Sequence, residues 1–326
     1  MSEAEYRHYS PGLLPPIVAF WNEEFRDRRN FFPLTEELFE KRVVNGGTSL
    51  EKFAPEQLIL ACEGERVVGM MHALPRDEAV CRALFPDWEG GSQGVIAFFC
   101  VARERRGRGI GGELFRRAKK ALSEQGQLAI DGQCLCPFYG NSSGPFTPFW
   151  GTPEGPSISG DDAGTERFLK AQGFNPRHRA VTLDTQLAEI SQTELNQMNL
   201  PPDCSIELLN DRIPPLGEPV ERIEVTGGES RFTSACCFRG GRAAGALVFF
   251  EMREAAEGRG AIYNFEVEEE ARGLGVGRAV LQAALSEMIR LGWETCEVLT
   301  IPELSPAGMK LYEDSGFRTA AHWLVY

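Results

Sequence analysis

One short motif occurs twice in this chain, and it restricts the fold more than anything else in the sequence. Its second copy is Arg272-Gly-Leu-Gly-Val-Gly277. Ahead of it, Ala261-Ile-Tyr-Asn-Phe-Glu-Val267 is apolar and aromatic enough for a strand, and behind it Val280, Leu281, Ala284, Leu285, Met288 and Ile289 recur at helical spacing. The first copy has the same parts: Val95 to Val101, then Arg106-Gly-Arg-Gly-Ile-Gly111, then Leu114, Phe115, Ala118, Ala121 and Leu122. Strand, glycine turn and helix together make an anion site. Glycines allow a ligand close to the backbone, and the N–H groups of the first helical turn have no partner inside the helix.

The duplication extends beyond the turns. Cys62-Glu-Gly-Glu-Arg-Val-Val-Gly69 aligns with Phe238-Arg-Gly-Gly-Arg-Ala-Ala-Gly245 at an offset of 176, Arg106 with Arg272 at 166, and Gly173-Phe174 with Gly316-Phe317 at 143. The falling offsets place ten extra residues before the first turn and twenty-three after it. Each half contains a hairpin: Leu58–Cys62 with Val67–Met71 in the first, Phe232–Phe238 with Ala243–Phe250 in the second. After the turn helix, each half continues with a strand, a short helix, the Gly-Phe pair and a closing strand. The closing strands fall within 179–183 and 322–326.

The expected organisation is a first domain over 1–183, a polar linker over 184–204 and a second domain over 205–326. Leu13 to Phe25 is helical, its start delayed by Pro15 and Pro16, and Thr35 caps a second helix. Residues 75–93 are a loop. Residues 137–164 are rich in Pro, Gly and aromatics, so they form an ordered loop, either a lid over a pocket or a cover over an exposed sheet edge. With only 205–230 ahead of its hairpin, the second half lacks part of the first half's helical layer. A substrate wall there would come from the first half or from a second subunit, as in a homodimer.

Composition narrows the function. A net charge of −13 argues against a nucleic-acid partner, which needs a basic surface. No run reaches the length of a membrane span, and the acidic start, Met1-Ser-Glu-Ala-Glu5, is not a signal peptide, so the expected location is the cytoplasm. The nine cysteines cluster only at Cys134-x-Cys136 and Cys236-Cys237, without a second pair at zinc spacing. No metal and no disulfide are expected. His8, His72, His178 and His322 are isolated and read as structural.

The order of elements and the Arg-x-x-Gly-x-Gly signature, met by Arg106, Gly109, Gly111 and by Arg272, Gly275, Gly277, resemble the GNAT superfamily of N-acetyltransferases. Leu311-Tyr312-Glu-Asp-Ser-Gly316-Phe317 adds a second match. The resemblance implies two tandem GNAT folds of the α/β (α+β) type, each a mixed, mostly antiparallel sheet flanked by helices. It implies acetyl-CoA as cofactor, bound by Val267, Arg272, Gly273, Gly275, Val276, Gly277 and Arg278 in the second half. In the first half, Val101, Arg106, Gly107, Gly109 and Gly111 correspond. In the family, the strands on either side of the turn helix splay apart and pantetheine lies between them, and a main-chain N–H near Val267 holds the thioester oxygen. Tyr312 is implied as the general acid for the departing thiolate. Its first-half counterpart is Leu169, which has no proton to give.

For a base, Glu266 is the candidate, with Asn264 on the same strand face to orient substrate or water; a solvated strand-end glutamate is the competing reading. The function implied is acetyl transfer to a primary amine of a small molecule, which the sequence does not identify. Two other readings compete. In a Rossmann unit the glycines are spaced Gly-x-Gly-x-x-Gly, unlike here, and Asp131, placed like a ribose ligand, has no counterpart in the second copy. A protein that binds acyl-CoA without turnover is the other.

Overall fold

The computed structural model describes residues 4–47, 50–85, 87–130, 138–141, 146–191, 195, 200–212, 216 and 231–326. Cys134, Cys136 and Asp131 lie outside them. Two compact units emerge. The first holds the described residues up to 141 together with Phe149–Gly151, and the second holds residues 146–148 and the described residues from Thr152 onward.

The first unit is a five-stranded sheet in the order β1 (Glu5–His8), β2 (Leu58–Glu63), β3 (Arg66–Arg76), β4 (Gln93–Val101), β5 (Gln127–Ile130). Only β4 and β5 pair in parallel. Helix α1 (Leu14–Phe25) starts without delay, because Pro15 and Pro16 occupy its first turn, where a missing N–H costs nothing. Thr35 caps α2 (Glu36–Phe39) by accepting from the Leu38 N–H at 3.1 Å. The stretch expected as a loop over 75–93 contains a helix, α3 (Glu78–Leu84). Asp77 caps it through the Val80 N–H at 2.8 Å, a signal hidden between two prolines. Strand β1 had no sequence signal.

Helix α4 (Ile110–Ala121) lies on one face of this sheet. A Cβ on Gly69 would come within 3.1 Å of Leu114 and 3.3 Å of Ile110, so glycine lets the helix start sit low on the hairpin. Three residues along β3, on the opposite face, His72 sits beside Phe98, where Trp21 and Phe25 of α1 pack. The described part of the aromatic segment joins them: Trp21 stacks on Tyr139 at 6.0 Å and meets Phe149 edge-on at 5.6 Å, and Phe25 stacks on Trp150 at 4.8 Å. These rings are buried with Trp21, Phe25 and Phe98, so the described part of the segment packs on a sheet face rather than along the edge that the sequence offered.

The second unit is an eight-stranded sheet in the order β6 (Ile158–Ser159), β13 (Arg318–Val325), β7 (His178–Gln186), β12 (Thr295–Thr300), β11 (Arg259–Val267), β10 (Arg242–Glu251), β9 (Phe232–Arg239), β8 (Cys204–Asn210). The strand expected to close the first half is therefore β7 of this sheet, antiparallel to both β12 and β13. Its alternation showed that it was a strand but carried no mark of its partners. Helix α5 (Ala163–Ala171) precedes it, and Leu187 begins a short 3-10 turn after it. Helix α6 (Val276–Arg290) buries Val276, Val280, Leu281, Ala284, Leu285 and Met288 in the core, each of these except Ala284 worth roughly 1.5–3 kcal/mol. Val276 would be 2.7 Å from a Cβ on Gly245, the same close approach as over Gly69. Helix α7 (Pro306–Asp314) links β12 to β13. Among the described residues, no helix is long and apolar enough to cross a membrane, and no three His, Cys, Asp or Glu gather to hold a metal.

Candidate active site

The turn after β11 is shaped by its glycines. Gly273 and Gly275 have φ of 77° and 85°, a region open to glycine, and Gly275 caps α6 from that left-handed conformation. A Cβ on Gly273 would meet nothing within 4 Å, so one side of the turn is free for a ligand to approach the backbone. Arg272, expected at the cofactor, also serves the turn: its Nε donates to the Val267 carbonyl at 3.1 Å. Arg278, on the first turn of α6, pairs with Asp314 of α7 at 3.3 Å. The first unit repeats the turn. Gly107 and Gly109 have φ of 73° and 86°, a Cβ on either would meet open space, and Arg106 Nε donates to the Val101 carbonyl at 2.9 Å. The residues present fit a pyrophosphate in both units.

Beside the second turn the sheet opens. Strand β11 pairs with β12 only from Arg259 to Ile262, then diverges, while β4 pairs with β5 from Gln93 to Ile96 among the described residues. A β-bulge marks the same place in both: Val248 faces Asn264 and Phe249 faces Ile262, leaving Tyr263 extra; His72 faces Phe98 and Ala73 faces Ile96, leaving Ala97 extra. Beyond the bulge, the direction of the backbone groups follows by alternation. The Glu268 N–H bonds the Ala244 carbonyl at 3.0 Å, so Phe265 and Val267 direct theirs the other way, to the side β12 has left. The N–H near Val267 that the sequence marked for an oxyanion therefore faces the opening. The Ala102 N–H bonds Val68 at 2.9 Å, which orients Phe99 and Val101 likewise.

Around this opening the second unit gathers its chemistry. Gly277 lies where a Cβ would be 3.4 Å from Val267, 3.6 Å from Leu311 and 3.6 Å from Phe265. Helix α7 thus reaches the turn through Leu311, and the next residue is Tyr312. Its ring is 4% exposed, between Phe265 at 6.1 Å and Phe317 at 5.5 Å. Burial raises the Tyr312 pKa well above the usual tyrosine value, and the Cys296 and Glu154 charges add to the effect. The phenol is thus protonated at any working pH. Cys296, fully buried beside it, is also pushed far up by burial, so a thiolate formed here would be a strong base.

Asn264 and Glu266 lie on the other face of β11 and are exposed. The sequence grouped Glu266 with Tyr312 as catalytic; the structure gives them opposite faces, so a proton path between them would run through substrate. In the first unit the same positions are Phe98 and Cys100, both buried under the aromatic cluster. Burial pushes the Cys100 thiol up to about 12. Leu169, the counterpart of Tyr312, is fully buried on α5, in the second unit. Sequence reasoning missed Phe265 as the ring supporting Tyr312, the bulges, and Asp314. The spacing Arg-x-x-Gly-x-Gly, followed by a charged residue on α7, was the only hint of the Arg278–Asp314 pair.

Comparison with known proteins agrees with this geometry. A model described as the acetyltransferase (GNAT) family matches residues 16–133 and 204–317, more than half of the chain. A tandem GNAT protein from the clavulanic acid biosynthesis pathway, described without AcCoA, is similar with a TM-score of 0.67 at 16% identity, over 99% of this chain and 97% of its own. A glucosamine N-acetyltransferase region of a fungal multi-domain β-N-acetylglucosaminidase has a TM-score of 0.61 at 15% identity, over 99% of this chain and 38% of that one. A GCN5-related N-acetyltransferase from Sphaerobacter thermophilus has a TM-score of 0.59 at 14% identity, over 98% of this chain and 94% of its own. At these identities the likeness is one of fold. No curated protein sequence matches the chain.

Proposed function

The chain belongs to the acetyltransferase (GNAT) family in both halves, and from that premise we propose that its second unit moves an acetyl group from acetyl-CoA to a primary amine of a small molecule. The observation that carries the reading is the convergence on Gly277 of Val267 and Phe265 from β11 and Leu311 from α7, with Tyr312 next in line. The glycine turn and the start of α6 would hold the pyrophosphate, and the thioester would lie along the face that β12 leaves.

In this reading the amine nitrogen attacks the thioester carbonyl, the C–N bond forms and the C–S bond breaks. The Val267 N–H steadies the oxygen as it gains charge. Tyr312 gives its proton to the departing sulfur. A phenol with a raised pKa is a weak acid in water. A thiolate leaving into the same apolar surroundings would be desolvated too, which raises its basicity and favours the transfer. The amine's own proton leaves through substrate or water toward Glu266, on the exposed face.

The acceptor is read as a small cationic amine. Glu266, Glu268, Glu269 and Glu270 are exposed beside the turn, and the net charge of −13 favours approach of a cation. The likeness to a glucosamine N-acetyltransferase region makes amino sugars the first acceptors to screen. Cytoplasmic location belongs to the same reading: Cys62, Cys81, Cys100, Cys204, Cys236, Cys237 and Cys296 are free thiols, suited to a reducing compartment. The test is thiol release from acetyl-CoA by the purified protein with a panel of amines. Binding of acetyl-CoA without thiol release from any amine would replace this reading with that of an acyl-CoA sensor.

A further inference from the structure

Helix α7 carries Tyr312, and the strand after it is held in an unusual way. The turn that closes the helix runs to Phe317, whose N–H bonds the Tyr312 carbonyl at 3.1 Å. Strand β13 begins at the next residue, and its neighbours in the sheet are β7 and the two-residue β6. It has no ladder to β12. Arg318 faces Asp184 and Thr319 faces Leu183, while on the other side of β7 Leu183 faces Val298 and Asp184 faces Glu297. So β7, which comes before the second copy of the repeat in the sequence, is the piece through which the tyrosine helix is referenced to the rest of the second sheet. The seam is also fixed by side chains. Trp323 Nε1 donates to Thr182 Oγ1 at 2.8 Å, both residues being buried, and the Leu183 side chain is fully buried in the core that includes Tyr312 and Phe317. A Cβ on Gly316, in the turn after α7, would be 3.7 Å from Thr185 Oγ1.

We propose that β7 is the positioning element for Tyr312, with Thr182 and Leu183 as its positioning residues, so that acid catalysis in the second unit depends on a strand that precedes the second repeat. The inference rests on Tyr312 being the acid. The turn and β11 hold coenzyme without β7, since the opening lies on the β11 side. Loosening β7 is therefore expected to move the acid and spare the binding. Misplacement of a catalytic group by about an ångström costs about 10²-fold.

The experiment uses the full chain. Thr182→Val keeps the side-chain volume and removes the acceptor of Trp323; Thr182→Ser restores it. The expected result for Thr182→Val is a kcat lowered by about 10-fold to 10²-fold, acetyl-CoA affinity by calorimetry within about twofold, and recovery in Thr182→Ser. Two readouts separate positioning from mere support. The loss should shrink with acyl donors whose leaving thiol is more acidic. It should also vanish when Tyr312→Phe is already present, because the acid that β7 positions is then gone. A kcat unchanged in Thr182→Val, or a loss undiminished in the Tyr312→Phe background, overturns the proposal. Tyr312→Phe measured alone tests the parent reading separately: if that variant is fully active, the acid assignment fails before β7 is at issue. A second measurement does not depend on any substitution folding. With a protease site inserted after the exposed Ser191, cleavage should leave the fragment from 192 onward active only while bound to the fragment that ends in β7. Full activity of the separated later fragment overturns the proposal.

Discussion

The two glycine-turn units share a backbone and differ in what lines it. Both have the left-handed glycines, the arginine that closes the turn onto its strand, the bulge, and a parallel pair of strands beside the turn. On the face away from the turn helix, the second unit exposes Asn264 and Glu266, while the first buries Phe98 and Cys100 beneath Trp21, Phe25 and Tyr139. Arg278 and Asp314, paired in the second copy, correspond to Gly112 and Ala171. The difference teaches that the two parts of such a site are maintained separately. The cradle is made of backbone and survives any side chains that leave the turn intact. Asn264, Glu266 and Tyr312 differ from the first copy by side chain alone, and their counterparts Phe98, Cys100 and Leu169 are buried.

The largest effect that bears on this contrast is on chemistry. Tyr312→Phe removes one hydroxyl and keeps the ring between Phe265 and Phe317, so the fold and coenzyme binding should survive while kcat falls by about 10²–10⁴-fold. The reverse change, Leu169→Tyr, should create no activity. Wild-type kcat should show no loss from phenol ionisation until the pH is above about 10, because burial raises the Tyr312 pKa and preserves the proton. A kcat that falls between pH 7 and 9 and is insensitive to Tyr312→Phe would assign that ionisation to another group.

Binding comes next. Gly277→Leu places a side chain against Val267, Leu311 and Phe265 and should abolish acetyl-CoA binding in the second unit. Calorimetry then decides how alike the cradles are. If the first turn also binds, one equivalent remains in Gly277→Leu and is lost on adding Gly111→Leu. If it does not, Gly277→Leu alone removes all binding.

A stability difference of a few kcal/mol should follow from His72. Burial lowers its pKa to about 3 from the usual value near 6.5, and its Nδ1 lies 3.2 Å from the Tyr139 hydroxyl. The ring is neutral in the folded state and protonated in the unfolded chain below about pH 6.5. Its contribution is therefore present above that pH and lost as pH falls toward about 3. The second copy has Val248 there and no such term. Denaturant unfolding followed through Trp21 should show the first unit weakening with acid, and His72→Leu should flatten that slope. An unchanged slope would place the acid sensitivity elsewhere.

The smallest expected contrast concerns the hairpin glycines. Gly245→Ala meets Val276 at 2.7 Å, whereas Gly69→Ala meets Leu114 and Ile110 at 3.1 and 3.3 Å, contacts a side chain can yield to. Gly245→Ala should cost about 1–3 kcal/mol in denaturant melts and Gly69→Ala less than about 1. Equal costs would mean that the two helices sit at equal depth.

These contrasts also show what a sequence reveals. The turns, the faces of α4 and α6 and both hairpins were legible because helix and strand periodicities and the glycine spacings are local. So was the capping of α2 by Thr35. The helix α3 was masked by the prolines flanking Asp77. The partners of β7 were out of reach, because its pairing with β12 and β13 is set by residues more than a hundred positions away and nothing in Arg179 to Leu183 encodes the choice. The motif around Tyr312 singled it out in the sequence, and the structure buries its ring in the second unit's core. The ring that supports it, Phe265, was not legible, since an aromatic on a strand reads the same whether it faces core or site.

The bulge has one further consequence. Between the two copies, connections have grown by ten residues at one place and by twenty-three at another without disturbing either turn. Yet from Ala97 to Arg106 and from Tyr263 to Arg272 the count is identical. A strand keeps parity. The extra residue reverses it once, which puts Asn264 and Glu266 outward and turns the Val267 amide to the opening. A second insertion or a deletion directly after Tyr263 would restore the original phase and exchange inside for outside, at a stroke, for Asn264, Glu266 and the Val267 amide. The stretch therefore behaves like a reading frame: substitutions can be absorbed singly, but a change of length by one is a frameshift in space.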